Sequence, residues 1–214
     1  MKILHNDNPF FNISLENVFS AEELKIIFKE IDELKKDFKD QNFTGSASTH
    51  LEVLKKNTGM FLAEYKNYEN LQITKIIDKC IKKISTNSNW ENLESKRLFN
   101  NLMWGSELIN CYKKNDYYKP HVDAGIFSII FFLWDNTSNF EGGDLYFPEH
   151  DYLHKCKSNH GILFFSTEMH GVTPIITNDE ESNRYSIVTF SAIKEENITS
   201  KKRNIINSNS ILYQ

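Results

Sequence analysis

The chain has few cysteines, few arginines and no long apolar run. Cys80, Cys111 and Cys156 are an odd three among 214 residues, with no C-x-x-C spacing. That leaves neither a disulfide framework nor a four-cysteine zinc site, and the expected compartment is intracellular, the cytoplasm. No stretch approaches the roughly 18 apolar residues of a membrane helix. The opening Met1-Lys2-Ile3-Leu4-His5-Asn6-Asp7 turns polar at once, without the apolar stretch of a secretory signal. Basic excess is missing too: 25 Lys and Arg against 29 Asp and Glu give a charge of −4, the wrong sign for a nucleic-acid partner. There is no internal repeat. What the chain does have is apolar and aromatic material, 40% and 13%, enough for a sizeable core in one domain.

Two patterns divide that material. In the first, Ser20-Ala21-Glu22-Glu23 reads as a capping box with Phe19 and Leu24 placed as a staple. Leu24, Ile27, Phe28, Ile31, Leu34 and Phe38 follow at helical spacing. A second helix is expected near 70–85, where Ile73, Ile76, Ile77, Cys80, Ile81 and Ile84 form one stripe. From about residue 97 the pattern becomes short β-rich runs: Arg97 to Trp104, Glu107 to Tyr112, Ile126 to Trp134, Leu145 to Phe147, Ile162 to Ser166, Val172 to Thr177 and Tyr185 to Ile193. Many short strands in a row predict a sandwich or jelly roll. The domain is expected over 1–194, with a helical part to about 96 and a β core from about 97. Residues 195–214 read as a polar tail, and Lys201-Lys202-Arg203 is too short for a basic patch.

His121-Val122-Asp123 is the first chemical candidate. On a strand, positions 121 and 123 share a face. With one more ligand they would form a two-histidine, one-carboxylate triad, which leaves metal positions open for substrate and O₂. The spacing alone is weak, since His5-Asn6-Asp7 repeats it in a polar leader without strand context. The flanks distinguish the two. Phe140-Glu141-Gly142-Gly143-Asp144-Leu145 lies downstream, then Gly161 to Ser166 leads to His170, and Asn183-Arg184-Tyr185-Ser186 opens the last strand. Arg184 and Ser186 share a face there, and a guanidinium fork beside a hydroxyl suits a carboxylate.

As a set, the H-x-D, the E-G-G-D-L, the distal His170 and the R-Y-S resemble the Fe(II)- and 2-oxoglutarate-dependent dioxygenases, in their prolyl-4-hydroxylase-like branch. The likeness spans roughly residues 100–193. It implies a mainly β fold with N-terminal α-helices, a double-stranded β-helix (jelly roll) with supporting helices outside. It implies His121, Asp123 and His170 as iron ligands and catalytic centre. Arg184, Ser186 and Tyr112 would hold 2-oxoglutarate. The cofactors implied are Fe(II), 2-oxoglutarate and O₂, with ascorbate as an accessory reductant. The activity implied is hydroxylation of an unactivated C–H bond, most naturally of a prolyl, other peptidyl or amino-acid substrate, with release of succinate and CO₂. A carboxylate at position 123 favours hydroxylation over halogenation, since related halogenases carry a small residue there.

Three departures qualify the resemblance. Many prolyl hydroxylases anchor the cosubstrate with lysine where Arg184 stands. The stretch from His170 to Arg184 is slightly long, with an acidic turn at Asn178-Asp179-Glu180-Glu181. The connection after Asp123 is short, which suggests an open substrate mouth. The alternatives are the same chemistry on a non-amino-acid metabolite, a cupin-like metalloprotein without 2-oxoglutarate, and a non-catalytic jelly-roll binding protein. A small-molecule or peptidyl partner is expected, with no nucleic acid and no membrane; the sequence leaves oligomeric state open. Asn110 shares the face of Tyr112. Trp104 and Tyr117-Tyr118 are candidates to face substrate. His150, His154, Cys156 and His160 form a cluster that a strand would scatter over both faces.

Overall fold

A computed structural model describes residues 1–45, 52–135 and 137–193; the expected tail at 195–214, with Lys201-Lys202-Arg203, lies outside the described residues. The strands are β1 (Lys2–Asn6), β2 (Asn12–Glu16), β3 (Lys39–Asp40), β4 (Lys55–Lys56), β5 (Thr58–Phe61), β6 (Leu102–Tyr112), β7 (Tyr117–His121), β8 (Phe127–Leu133), β9 (Glu141–Gly142), β10 (Leu145–Phe147), β11 (Tyr152–His154), β12 (His160–Phe165), β13 (His170–Val172), β14 (Ile175–Ile176) and β15 (Arg184–Ile193). The α-helices are α1 (Ala21–Leu34), α2 (Gln72–Ser85) and α3 (Leu93–Asn100). A large sheet runs β1-β2-β12-β8-β15-β6-β5-β3 and a small one β11-β10-β13-β7-β4, with β14 paired to β9. This is the mainly β, helix-supported jelly roll that the sequence predicts.

The capping box forms as read: the Ser20 hydroxyl accepts from the Glu23 amide, and the Glu23 carboxylate accepts from the Ser20 amide. The first turn of α2 lacks a cap of its own. Glu30 of α1 supplies one, accepting from the amides of Gln72 and Ile73 at 2.8 Å each, an anion placed at a helix N-terminus. The two helices bury Ile27, Ile31, Leu34, Ile73, Ile77 and Ile84 against the outer face of the large sheet.

Strand β8 shows why the sheet is apolar on both sides. Phe127, Ile129, Phe131 and Leu133 belong to the core shared with the helices, whereas Ile130 and Phe132 belong to the core between the sheets. A strand covered on both faces reads as an unbroken apolar run. No helix among the described residues is long and apolar enough to cross a membrane.

Several expectations are corrected. Arg97–Asn100 is the end of α3, not strand. The Asn92 side chain accepts from the Ser95 amide, and Phe99 packs edge-on against Trp90 at 4.9 Å, so a cap and an aromatic contact override local β preference. The N-terminal part is not only helical: β1 to β5 join both sheets. The leader around His5 lies on β1, paired to β2 over five residues. The predicted strand at Val172 to Thr177 breaks at Pro174 into β13 and β14, since proline cannot donate to a ladder.

Candidate metal centre and anion pocket

His121 is the last residue of β7 and His170 the first of β13, and the two are paired across the small sheet. Asp123 is not on the strand as the spacing suggested. The strand ends at His121, Val122 turns outward, and the Asp123 amide donates to the Ser166 carbonyl at 3.0 Å. The turn still delivers the carboxylate: one oxygen lies 3.5 Å from His121 Nε2 and the other 3.4 Å from His170 Nε2. The three donor atoms all lie within 4.8 Å of one another, and no other such group of three occurs among the described residues.

Each donor is held from behind. His121 Nδ1 donates to the Lys119 carbonyl at 3.0 Å and His170 Nδ1 to the Glu168 carbonyl at 2.9 Å. A carbonyl only accepts, so both rings carry their proton on Nδ1 and turn a bare Nε2 inward. Ser128 donates to Asp123 at 2.7 Å and meets Ser166 at 2.9 Å. Tyr118 stacks on His121 at 3.5 Å, and Phe164 packs edge-on against His170 at 4.8 Å. Burial favours the neutral form of Asp123, but the imidazoles of His170 and His121 and the Ser128 hydroxyl outweigh it, and its pKa falls below the usual carboxylate value. Burial likewise holds His170 below the usual imidazole value, against the pull of Asp123. An ionised carboxylate beside neutral imidazole nitrogen is the state that takes a cation. The donor chemistry fits Fe(II) with open positions for other ligands.

Arg184 opens β15 on the face between the sheets, opposite Tyr112 in register, and Ser186 stands opposite Asn110. The guanidinium is only 1% exposed. It lies between the rings of Tyr112 and Phe132, 5.0 and 5.1 Å from their centres. Its Nη2 donates weakly to Cys156 Sγ at 3.7 Å, and its Nε has no partner among the described residues. A buried guanidinium with an unpartnered Nε is suited to a carboxylate. Burial pushes the Tyr112 hydroxyl up to about 12 against the pull of Arg184, so it is a hydrogen-bonding group at neutral pH. The residues fit a dicarboxylic keto acid with one end at Arg184.

The remaining sequence candidates separate. Tyr118 adjoins the centre, whereas Trp104 packs on Phe99 at 4.8 Å on the helix side. Of the expected cluster, Cys156 lies against Arg184. His150 pairs with Glu168 at 2.6 Å, and His154 is held neutral by burial, which pulls its pKa down to about 4.

Four residues had no sequence signal. Ser128 hides in an apolar strand, and Ser166 closes one. Lys55 sits on β4 and is 1% exposed, donating to the Thr44 carbonyl at 2.6 Å with its Nζ 4.8 Å from the centre of the Tyr118 ring. Burial pulls its pKa down to about 8 against the attraction of Asp123. Asn57 donates to Asn110 at 2.9 Å and keeps an unpartnered buried oxygen.

Residues 108–192 match the family model of the 2OG-Fe(II) oxygenase superfamily. No curated protein matches the chain. Among solved structures it is similar to a Pseudomonas putida prolyl-4-hydroxylase, with a TM-score of 0.60 at 14% identity over 86% of this chain and 92% of that one. It is also similar to the viral collagen prolyl hydroxylase of Paramecium Bursaria Chlorella virus-1 in its 2OG complex, at 0.57 and 13% over 85% and 96%. A third is a Trichoplax adhaerens prolyl hydroxylase in complex with a hypoxia inducible factor peptide fragment, at 0.57 and 13% over 85% and 83%. The family model thus covers the β core of the chain, and the solved structures share its fold.

Proposed function

We propose that this chain hydroxylates an unactivated C–H bond of an amino-acid or peptidyl substrate, with a prolyl residue as the first candidate, converting 2-oxoglutarate and O₂ to succinate and CO₂. The observation that carries the reading is the pairing of two features between the sheets: three convergent donors at His121, Asp123 and His170, and a buried Arg184 with no carboxylate at ion-pair distance among the described residues. Fe(II) and 2-oxoglutarate, when bound, supply the oxidative decarboxylation that makes one oxygen atom of O₂ available to the substrate.

The protein's own part is positional. His121 and His170 present Nε2, and Asp123 presents an ionised carboxylate kept in place by Ser128. Arg184 would hold the distal carboxylate of the keto acid, with Ser186 and Tyr112 beside it. Phe132 and the ring of Tyr112, which lie against the guanidinium, keep water away from that charge, which strengthens its pairing. The peptide held by the Trichoplax relative and the collagen-directed name of the viral one support a peptidyl substrate.

The test is an anaerobic titration of the metal-free protein with Fe(II) and then 2-oxoglutarate, following the charge-transfer absorbance of the keto-acid chelate. The expected result is a band in wild type that is absent in Asp123→Ala and weakened in Arg184→Ala. Wild type that binds neither metal nor keto acid overturns the proposal.

A further inference from the structure

Among the described residues two cationic side chains are buried, Arg184 and Lys55, each 1% exposed, and neither meets a carboxylate at ion-pair distance. Of the buried acids, Asp116 and Asp144 are engaged by other lysines, Lys56 and Lys155, and Glu107 accepts from the Tyr68 hydroxyl. Arg184 is accounted for by the keto acid. Lys55 is not: one of its three N–H groups goes to the Thr44 carbonyl, and the ammonium otherwise faces the Tyr118 ring. The carboxylate that attracts it, Asp123, is not at ion-pair distance; a buried ammonium without a directly bound counter-charge is costly to keep, and a bound anion would repair it.

The position of Lys55 says which anion. Lys55 on β4 stands opposite Tyr118 on β7, and residues directly opposite in a ladder share a face. That face also carries the Tyr118 ring that stacks on His121. The strand order of the small sheet places β4 at one edge. It places β11, which leads to the Cys156 contact of Arg184, at the other, with the histidine-bearing β7 and β13 between them. Lys55 and Arg184 thus come to the donors from different sheets, β4 of the small one and β15 of the large one, and a keto acid anchored at Arg184 leaves Lys55 to a different molecule. Exposed apolar side chains adjoin this region in sequence: Phe43 beside the Thr44 that Lys55 bonds, Val53 two residues before Lys55, and Val122 between His121 and Asp123. They suit an apolar body attached to that anion.

We propose that Lys55 receives a carboxylate of the molecule to be hydroxylated, so that the substrate is an acid. The carboxylate is either the α-carboxylate of a free amino acid or the acidic side chain of a peptide. This rests on the oxygenase reading above. Lys55 is then a substrate-binding residue that fixes which C–H bond faces the metal.

The experiment uses the full chain with Fe(II) and saturating 2-oxoglutarate, without O₂, so that added carboxylates do not compete for Arg184. One arm adds free L-amino acids and, in parallel, their primary amides. The other adds N-acetyl-Glu-Pro-amide and N-acetyl-Gln-Pro-amide. The readout is the shift of the charge-transfer band, and then succinate release on admitting air. The expected result is an acid that binds at least about tenfold tighter than its amide, the discrimination a hydrogen-bonded charge supplies. The arm in which it appears identifies the source of the carboxylate. The preference should vanish in Lys55→Met and return in part in Lys55→Arg. The substrate KM should rise more than kcat falls, which loosened packing around Thr44 would not produce.

A panel in which no acid is preferred to its amide overturns the proposal, as does a preference that survives in Lys55→Met. The wild-type comparison stands even if Lys55→Met does not fold. Failure of the underlying reading is visible separately, because the charge-transfer band would then be missing before any substrate is added.

Discussion

Replacing Arg184 with methionine should cost the protein its cosubstrate and not its fold. In the free protein the guanidinium gains two ring contacts, at 5.0 and 5.1 Å, and a weak thiol contact at 3.7 Å. Two desolvated cation–π contacts contribute about 1–2 kcal/mol each, while burying the charge without an anion costs several kcal/mol. Arg184→Met fills the same apolar slot without that penalty, so the apoprotein should lie within about 1 kcal/mol of wild type, or above it. With 2-oxoglutarate the order reverses. Two charge-assisted bonds at about 1.5–3 kcal/mol each amount to roughly 10²- to 10⁴-fold in Kd. Wild type at a hundred times its Kd should gain about 2.7 kcal/mol, a rise of about 5–10 °C in Tm for a chain of this size. The assay is thermal unfolding of both proteins with Mn(II), with and without 2-oxoglutarate. An apoprotein weakened by more than about 3 kcal/mol, or a ligand shift that survives the substitution, would refute the reasoning.

Ser128→Ala removes the hydroxyl that holds Asp123 at 2.7 Å; metal titration should show affinity lower by about 10- to 100-fold with the fold intact. His154, whose pKa burial pulls down to about 4, gives a stability term present above the unfolded value near 6.5 and lost as pH falls towards 4. Discounted for partial exposure it is roughly 2 kcal/mol, and urea midpoints at pH 7 and pH 4.5 should differ less in His154→Phe than in wild type. Gly142 has φ +75°, and a Cβ there would lie 2.0 Å from the Pro174 carbonyl. Gly142→Ala should therefore cost at least about 1–3 kcal/mol by urea unfolding, while Gly105→Ala, with open space around it, should be close to neutral.

The legible part of the site was the part set by short spacing. Tyr112 and Asn110 alternate on β6 and Arg184 and Ser186 on β15, so period two alone places all four on one face. The helical stripes of α1 and α2 were equally plain, because their large apolar residues, Ile26 apart, lie on the core face. Lys55 and Asn57 were not legible. Strand β4 has two residues and β5 four, too few to show a period; Lys55 is placed by pairing with Tyr118, and Asn57, between the strands, by its side-chain bond to Asn110, each more than fifty residues away. The same holds for β1 and β2, whose polar composition hid a hairpin that extends the large sheet from β12. At Arg97–Asn100 a β-like composition lost to the Asn92 cap and the contact with Trp90.

His160 shows what makes the two candidate ligands different from an ordinary strand histidine. Its Nδ1 is tied to the carbonyl two residues earlier, Ser158, at 3.0 Å. That is the geometry by which Lys119 holds His121 and Glu168 holds His170. The local lock on the tautomer is therefore a property of a histidine entering or leaving a strand, and it does not make a metal site. What His160 lacks is convergence: among the described residues no carboxylate and second imidazole gather at its free nitrogen. His121 and His170 have both, because β7 and β13 are antiparallel neighbours with these residues in register, and because the strand stops at His121 so that Asp123 can turn inward under Ser166 and Ser128. The determinant of the site is the pairing of two short strands across the small sheet. A substitution that shifts their register by one residue should abolish metal binding while leaving each histidine's own backbone hydrogen bond in place.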